Sequence, residues 1–326
     1  MEELSLVAIF LFVLFLLLGT GVWVGLALLG VAYVGMELFT GRPVGPAMIT
    51  TLWSTASAWT LTALPLFIWM GEILYRTRLS QDMFAGLAPW LRRLPGGLIH
   101  TNILGCTVFA AVSGSSAATL TTVGKMSIPE LRRRRYPEHM VVGTLAGAAT
   151  LGLMVPPSLI LIVYGVTINE SISKLFIAGV LPGLVLASMF MGYAALYAAF
   201  ARDWNPVREA AMGWRERIAS ARLLLPVLLL VLFVIGSMYL GFATATEAAA
   251  FGVAGALVLA ASQGALTWRS FRASLMGAVH TSAMVALILA GAAFLTLAMG
   301  FTGLPRALAG WIADLELSRF ALLLAL

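Results

Sequence analysis

The chain is poor in charge. Asp, Glu, Lys and Arg make up 10% of its 326 residues, where a soluble domain carries about 25%. It has one cysteine, Cys106, which excludes an intrachain disulfide and a cysteine-based metal cluster and reads as a small packing residue in an apolar run. The pattern of a phosphate-binding Gly-rich loop is missing, which argues against a nucleotide-driven pump. The first apolar stretch, Leu4–Leu18, follows Glu2 and Glu3. It lacks the basic start and small-residue cleavage site of a secretion signal and reads as a retained membrane helix.

What the chain has is apolar surface. Hydrophobic residues make up 61%, mean hydropathy is +0.98, and several windows exceed the roughly 18 apolar residues of a spanning helix. These features predict an all-α polytopic protein of the lipid bilayer. A net charge of +6 would suggest nucleic acid in a soluble protein. Here the basic residues fall in short loops between apolar windows, the pattern of cytoplasmic loops facing anionic lipid, and no nucleic-acid partner is expected.

Charge orders the windows. Leu4–Leu18 and Gly21–Phe39 form a pair joined at Gly19-Thr20, and a third window runs from about Trp53 to Tyr75. Arg76, Arg78, Arg92 and Arg93 follow, so that side is read as cytoplasmic and the N-terminus as periplasmic. Leu79–Leu94 mixes polar residues with Met83, Phe84, Leu87, Trp90 and Leu91, as an amphipathic helix at the interface does. Residues 95–126 are apolar but split at Ser113–Ser116, with Arg132–Arg135 close behind. A single span would set Arg92 and Arg93 opposite the later arginines; a re-entrant helical hairpin turning at Ser113–Ser116 keeps both inside.

Residues 141–166 cross outward with Pro156-Pro157 near the middle, a broken helix. Leu175–Phe200 returns, and residues 202–222, with five arginines plus Trp204 and Trp214, read as a cytoplasmic amphipathic connector. Then the order restarts: Leu223–Leu240 and Phe242–Ala261 are paired at Gly241, Ser282–Phe301 matches the third window, and Leu304–Leu315 matches Leu79–Trp90 about 220 positions on. The copies begin on opposite sides. Residues 1–201 therefore read as a first inverted repeat and 223–326 as a partial second, an arrangement common in secondary transporters.

Lipid cannot satisfy freed backbone groups, so a break at membrane depth survives only where protein, water or a ligand covers it. Ser113, Ser115, Ser116 and Thr119 offer hydroxyl oxygens, and Gly114 permits close approach. Pro156 and Pro157 remove two donors and free carbonyls around Gly152 and Leu153, with Val155 between; Ser158 follows the break. We expect the two breaks to face each other. Na+ would be held largely by main-chain oxygens of Ser113, Gly114, Ser115, Gly152, Leu153, Val155 and Pro156. An organic-acid carboxylate would sit at the helix N-termini, with Ser113, Gly114, Ser115, Ser116, Thr119, Pro157 and Ser158 as its surroundings. Taken singly, the Ser-Gly-Ser-Ser run reads equally as close helix packing and the Pro pair as a kink; their co-occurrence favours binding. Glu72 beside Arg76 reads as a snorkelling pair, and Glu247 after Thr244 as a helix cap.

The residues resemble one family, the large membrane subunit of tripartite ATP-independent periplasmic transporters. The resemblance lies in Pro65–Leu74, Ser113–Thr119, Gly143–Ser158, Tyr164-Gly165, Leu175–Gly183 and Thr244–Ala250, with Ala245 where a proline is common. It implies Na+-driven uptake of organic acids by an elevator-like motion in a bacterial inner membrane. It also implies two partners, a soluble periplasmic substrate-binding protein and a small four-helix membrane subunit. The family's large subunit is longer. Its second half has a hairpin and a Pro-Pro break of its own, so this chain, ending in the apolar run Phe320–Leu326, reads as C-terminally incomplete. Two alternatives differ in mechanism: a Na+/dicarboxylate symporter working without a binding protein, and, remotely, an intramembrane serine protease using a hairpin serine with His100 or His139 as base.

Overall fold

The computed structural model describes residues 2–201, 213–315 and 320–321. Among them the regular structure is helical, without strands: α1 (Glu2–Gly19), α2 (Val24–Phe39), α3 (Val44–Ala56), α4 (Ala63–Tyr75), α5 (Leu79–Leu91), α6 (Ile99–Ser113), α7 (Ser116–Arg133), α8 (Glu138–Ala149), α9 (Leu159–Ile168), α10 (Ile172–Phe200), α11 (Trp214–Ala221), α12 (Leu225–Tyr239), α13 (Ala245–Ser262), α14 (Trp268–Thr302) and α15 (Leu304–Asp314). Two 3-10 turns, Trp59–Thr62 and Thr150–Leu153, precede α4 and follow α8.

Three of these helices, α10, α13 and α14, are long and apolar enough to cross a membrane, or up to five spans if each of two bent helix pairs counts as one. The outward faces are apolar as well: along α10 alone Leu181, Met189, Leu196 and Phe200 are exposed. A water-soluble protein does not leave so large a contiguous apolar face uncovered. The chain is a multi-pass membrane protein.

Packing divides the chain into two compact units, residues 1–59 with 283–326, and residues 60–282. In the first, Ala32, Met36, Val44, Phe294 and Ala298 form one buried cluster and Leu6, Phe10 and Val31 another. Small residues bring the backbones close there: a Cβ on Gly291 would lie 2.6 Å from the Gly25 carbonyl oxygen. In the second, α4 lies against α13, with Gly252 leaving room for the Met70 sulfur. The helices α6, α7 and α8 pack on one another, tied by the buried Asn102 amide, which donates to the Val141 carbonyl at 3.2 Å and the Thr144 hydroxyl at 3.3 Å.

The helix limits differ from the sequence reading in two places. The window at Trp53–Tyr75 is not one helix. It is broken after Ala56 and preceded by a helix from Val44 that the hydropathy pattern hides. The break falls at Ser57 and Ala58, after which the 3-10 turn Trp59–Thr62 leads directly into α4 at a bend of 53° from α3. The matching window at Ser282–Phe301 has no proline and is the second part of an unbroken 35-residue helix. Of the 202–222 connector, residues 202–212, including Trp204, lie outside the described residues, and the rest forms α11. Residues 316–319 and 322–326, most of the terminal apolar run, also lie outside them.

The carboxylates behave as structural residues. Glu72 pairs with Arg76 at 3.2 Å. Glu247 closes a capping box on α13, accepting from the Thr244 N–H at 2.7 Å while the Thr244 hydroxyl accepts from the Glu247 N–H at 3.4 Å. In the arginine run, Glu130 pairs with Arg133 and Arg134, and Glu138 with Arg132.

Candidate functional site

The site is built by two interruptions in the larger unit. Helix α6 ends at Ser113 because Gly114 adopts the left-handed region (φ +59°), where a side chain would clash, and its N–H closes on the Ala110 carbonyl at 2.9 Å. The extended Ser115 then caps α7, its hydroxyl accepting from the Ala118 N–H at 3.4 Å. The chain has reversed within two residues, and the two arms pack side by side. The second interruption starts where α8 tightens into the 3-10 turn. The N–H groups of Met154 and Val155 both return to the Leu151 carbonyl, at 3.0 and 2.8 Å. A cis Pro156-Pro157 peptide follows, and α9 begins at Leu159. A helix through this point would need donors from residues 156 and 157 to the carbonyls of Gly152 and Leu153, and prolines have none.

The two interruptions touch. A Cβ on Gly114 would lie 3.0 Å from the Pro157 carbonyl oxygen, and one on Gly152 would lie 3.0 Å from the Ser116 nitrogen. The Leu159 N–H donates to the Gly114 carbonyl at 3.4 Å, linking the start of α9 to the hairpin tip. Four helix ends therefore meet: the C-terminal ends of α6 and of the 3-10 turn, and the N-terminal ends of α7 and α9. C-terminal ends carry partial negative charge and favour a cation; N-terminal ends favour an anion.

Side chains complete the arrangement. Ser113 and Thr119, both buried, share a hydroxyl–hydroxyl bond of 3.0 Å. The Ser113 hydroxyl also accepts from the Ser115 N–H at 3.3 Å. The Ser116 hydroxyl is enclosed without a hydrogen-bond partner. Ser158 is fully buried and does not cap α9; its hydroxyl donates to the Leu153 carbonyl at 2.7 Å. That carbonyl, expected from the sequence to be left without a donor, is thus served locally. Among the described residues no three His, Cys, Asp or Glu side chains come together as a metal site; the tip itself offers carbonyl and hydroxyl oxygen, with the Glu72 carboxylate on the cleft beside it.

The sequence reading missed the supports. Gly71 on α4 lets that helix approach the hairpin tip, a Cβ there lying 3.0 Å from Ser113 Cα; Gly179 and Gly183 on α10 do the same for Met154 and Val155. It also missed an open cleft of about 270 Å³ beside the tip, where Glu72, Arg76 and Thr281 join Ser113, Ser115 and Thr121. No local signal joins Arg76 to Ser115; their proximity is tertiary. The protease arrangement is not formed. His100 Nε2 lies 2.6 Å from the Pro95 carbonyl and His139 Nε2 lies 2.8 Å from the Tyr197 hydroxyl, and neither ring is bonded to a hairpin serine.

The family described as "Tripartite ATP-independent periplasmic transporter, DctM component" matches residues 11–326. Among curated relatives, the C4-dicarboxylate TRAP transporter large permease protein DctM of Pseudomonas aeruginosa is 33% identical over 84% of this chain and 64% of its own. The ectoine/5-hydroxyectoine TRAP transporter large permease protein UehC of Ruegeria pomeroyi is 31% identical over 90% of this chain and 68% of its own. The isethionate TRAP transporter permease protein DctMQ of Oleidesulfovibrio alaskensis is 30% identical over 96% of this chain and 49% of its own. The chain spans less than two thirds of the length of the first of these and about half that of the last.

Proposed function

The chain belongs to the DctM component family of tripartite ATP-independent periplasmic transporters, a family of permeases rather than enzymes, and from that premise we propose that it is the permease part of a Na+-coupled secondary transporter importing organic acids across a bacterial inner membrane. It works with a periplasmic substrate-binding protein and a small four-helix membrane subunit. The N-terminus faces the periplasm. Residues 1–201 and 223–326 are inverted repeats, the second partial, of an elevator-type carrier.

The observation that carries this reading is the meeting of four helix ends at Ser113–Ser116 and Gly152–Ser158. Carbonyls of Ser113, Gly114, Ser115, Gly152, Leu153, Val155 and Pro156 supply oxygen for Na+ without a formal charge, which suits an ion that must bind and leave. The N-terminal ends of α7 and α9, with Ser116, Thr119, Pro157 and Ser158 around them, receive the acid group. The relatives are named for C4-dicarboxylate, ectoine and isethionate transport. All three substrates carry a carboxylate or sulfonate, the group that helix N-termini favour.

Proteoliposomes containing the whole complex test it. An organic acid should accumulate only with an inward Na+ gradient and with binding protein outside. Uptake that persists without Na+ would sink the mechanism, and uptake that persists without binding protein would favour the independent symporter. Ser115→Ala and Pro157→Ala should each raise the Na+ concentration needed while leaving assembly intact.

A further inference from the structure

Arg217 is the one buried arginine among the described residues, 5% exposed. It lies on the short helix α11, which meets the apolar α12 at 49°, and its surroundings are fixed by α5. A Cβ on Gly86 would lie 2.7 Å from Leu224 Cγ and 3.1 Å from the Ser220 carbonyl oxygen, so the two helices are in close contact. One turn from Arg217, Trp90 and Trp214 pack edge to face with ring centroids 6.2 Å apart. The guanidinium carbon lies 5.5 Å from the Trp214 ring centroid.

Among the described residues the guanidinium has no anion. Its Nε is enclosed with no acceptor, and the nearest carboxylate in sequence, Glu216, turns back to the Gly213 N–H at 3.2 Å. A cation taken out of water without a counter-charge is costly, and one ring at this distance offsets only a small part of that cost. No described residue supplies the missing group. Both tryptophans are partly exposed, as rings at a membrane boundary are. Arg92, Arg93, Arg215 and Arg222 add positive charge on the same two segments. A guanidinium fork matches two phosphate oxygens.

We propose that Arg217, with Trp214 and Trp90, binds the phosphate of an anionic phospholipid headgroup where α5 and α11 meet. The lipid completes the charge that folding leaves open, and joins the connector between the two halves of the chain to the bilayer.

Native mass spectrometry and thermal melting of the delipidated complex in detergent test this, with phosphatidylglycerol, phosphatidylcholine and inorganic phosphate as probes. Phosphatidylglycerol should bind in preference to both others. Arg217→Gln should weaken its binding about tenfold or more, the scale of a lost charge-assisted hydrogen bond, and Arg217→Lys by less. Without lipid, Arg217→Met should melt no lower than wild type, because an unpaired charge is gone; phosphatidylglycerol should then raise wild type above the variant. The proposal is overturned if Arg217→Gln and Arg217→Lys bind the lipid as wild type does. It is also overturned if inorganic phosphate protects equally, or if lipid-free wild type is already well above Arg217→Gln, since a protein carboxylate would then supply the anion.

Discussion

Two helical hairpins in the larger unit turn on a glycine of positive φ and end in different surroundings. Between α12 and α13, Gly241 has φ +74°, nothing stands within 4 Å of where its Cβ would be, and Leu240 and Phe242 beside it are exposed. Between α6 and α7, Gly114 has φ +59°, and its Cβ would meet the Pro157 carbonyl at 3.0 Å and the Leu159 nitrogen at 3.3 Å. A helix end must satisfy its orphan groups somehow. The open tip satisfies them within its own turn, the Phe242 and Ala243 N–H groups returning to the Ser237 carbonyl at 2.9 and 3.1 Å and Glu247 capping α13, while the enclosed tip adds a bond from a second broken helix, the Leu159 N–H to the Gly114 carbonyl at 3.4 Å. The turn is common to both; the enclosure is what sets the proposed site apart.

Substitutions sharpen this contrast. The largest effect is expected at Gly114→Ala. The left-handed backbone costs roughly 1–2 kcal/mol with a side chain, and overpacking against a backbone carbonyl costs roughly 1–3 kcal/mol more. Stability of the purified complex should fall by about 3 kcal/mol, and Na+-dependent uptake should be lost. A variant with wild-type melting would mean that the tip is as open as that of α12 and α13.

Gly152→Ala comes next. Its backbone is ordinary, so only the contact with Ser116 at 3.0 Å opposes the methyl group, and a loss of roughly 1–3 kcal/mol is expected from overpacking. The variant presses the two interruptions apart without changing a residue of the hairpin. If uptake survives at normal Na+ while melting falls, the break supports the tip and takes no part in binding. Gly241→Ala should cost only the backbone term, roughly 1–2 kcal/mol, and leave the Na+ requirement as it is; a change there would end the distinction drawn between the two tips.

The contrast was only half legible in the sequence. Ser113–Ser116 and Pro156-Pro157 stood out because hydroxyls and a Pro pair are costly inside apolar windows, and that local cost is visible residue by residue. Enclosure is not local. That Gly114 meets Pro157, or that Gly71 admits the hairpin tip, depends on packing across some forty residues that no spacing encodes. Helix α3 was missed for a related reason. Thr50 and Thr51 donate back to the carbonyls of Pro46 and Ala47, each at 2.8 Å, and Ser57 to Trp53 at 2.7 Å. These hydroxyls are satisfied within their own turn, so a segment that reads as polar folds as helix.

The smallest effect on stability should be the most informative about function. Thr119→Val keeps the buried volume and removes one hydroxyl, that bonded to Ser113 at 3.0 Å. Ser113 keeps the Ser115 N–H as a donor, so the loss should be about 1 kcal/mol, the usual net worth of one hydrogen bond. Thr121→Val is the matched control. Thr121 lines the same cleft, but its hydroxyl donates to the Ala117 carbonyl of its own helix at 2.8 Å. If the enclosed tip binds the coupling ion, Thr119→Val should raise the Na+ concentration for half-maximal uptake severalfold, and Thr121→Val should leave it unchanged. Equal Na+ dependence in both variants would reduce the Ser113–Thr119 pair to packing. The tip would then differ from that at Gly241 in enclosure alone, with no consequence for transport.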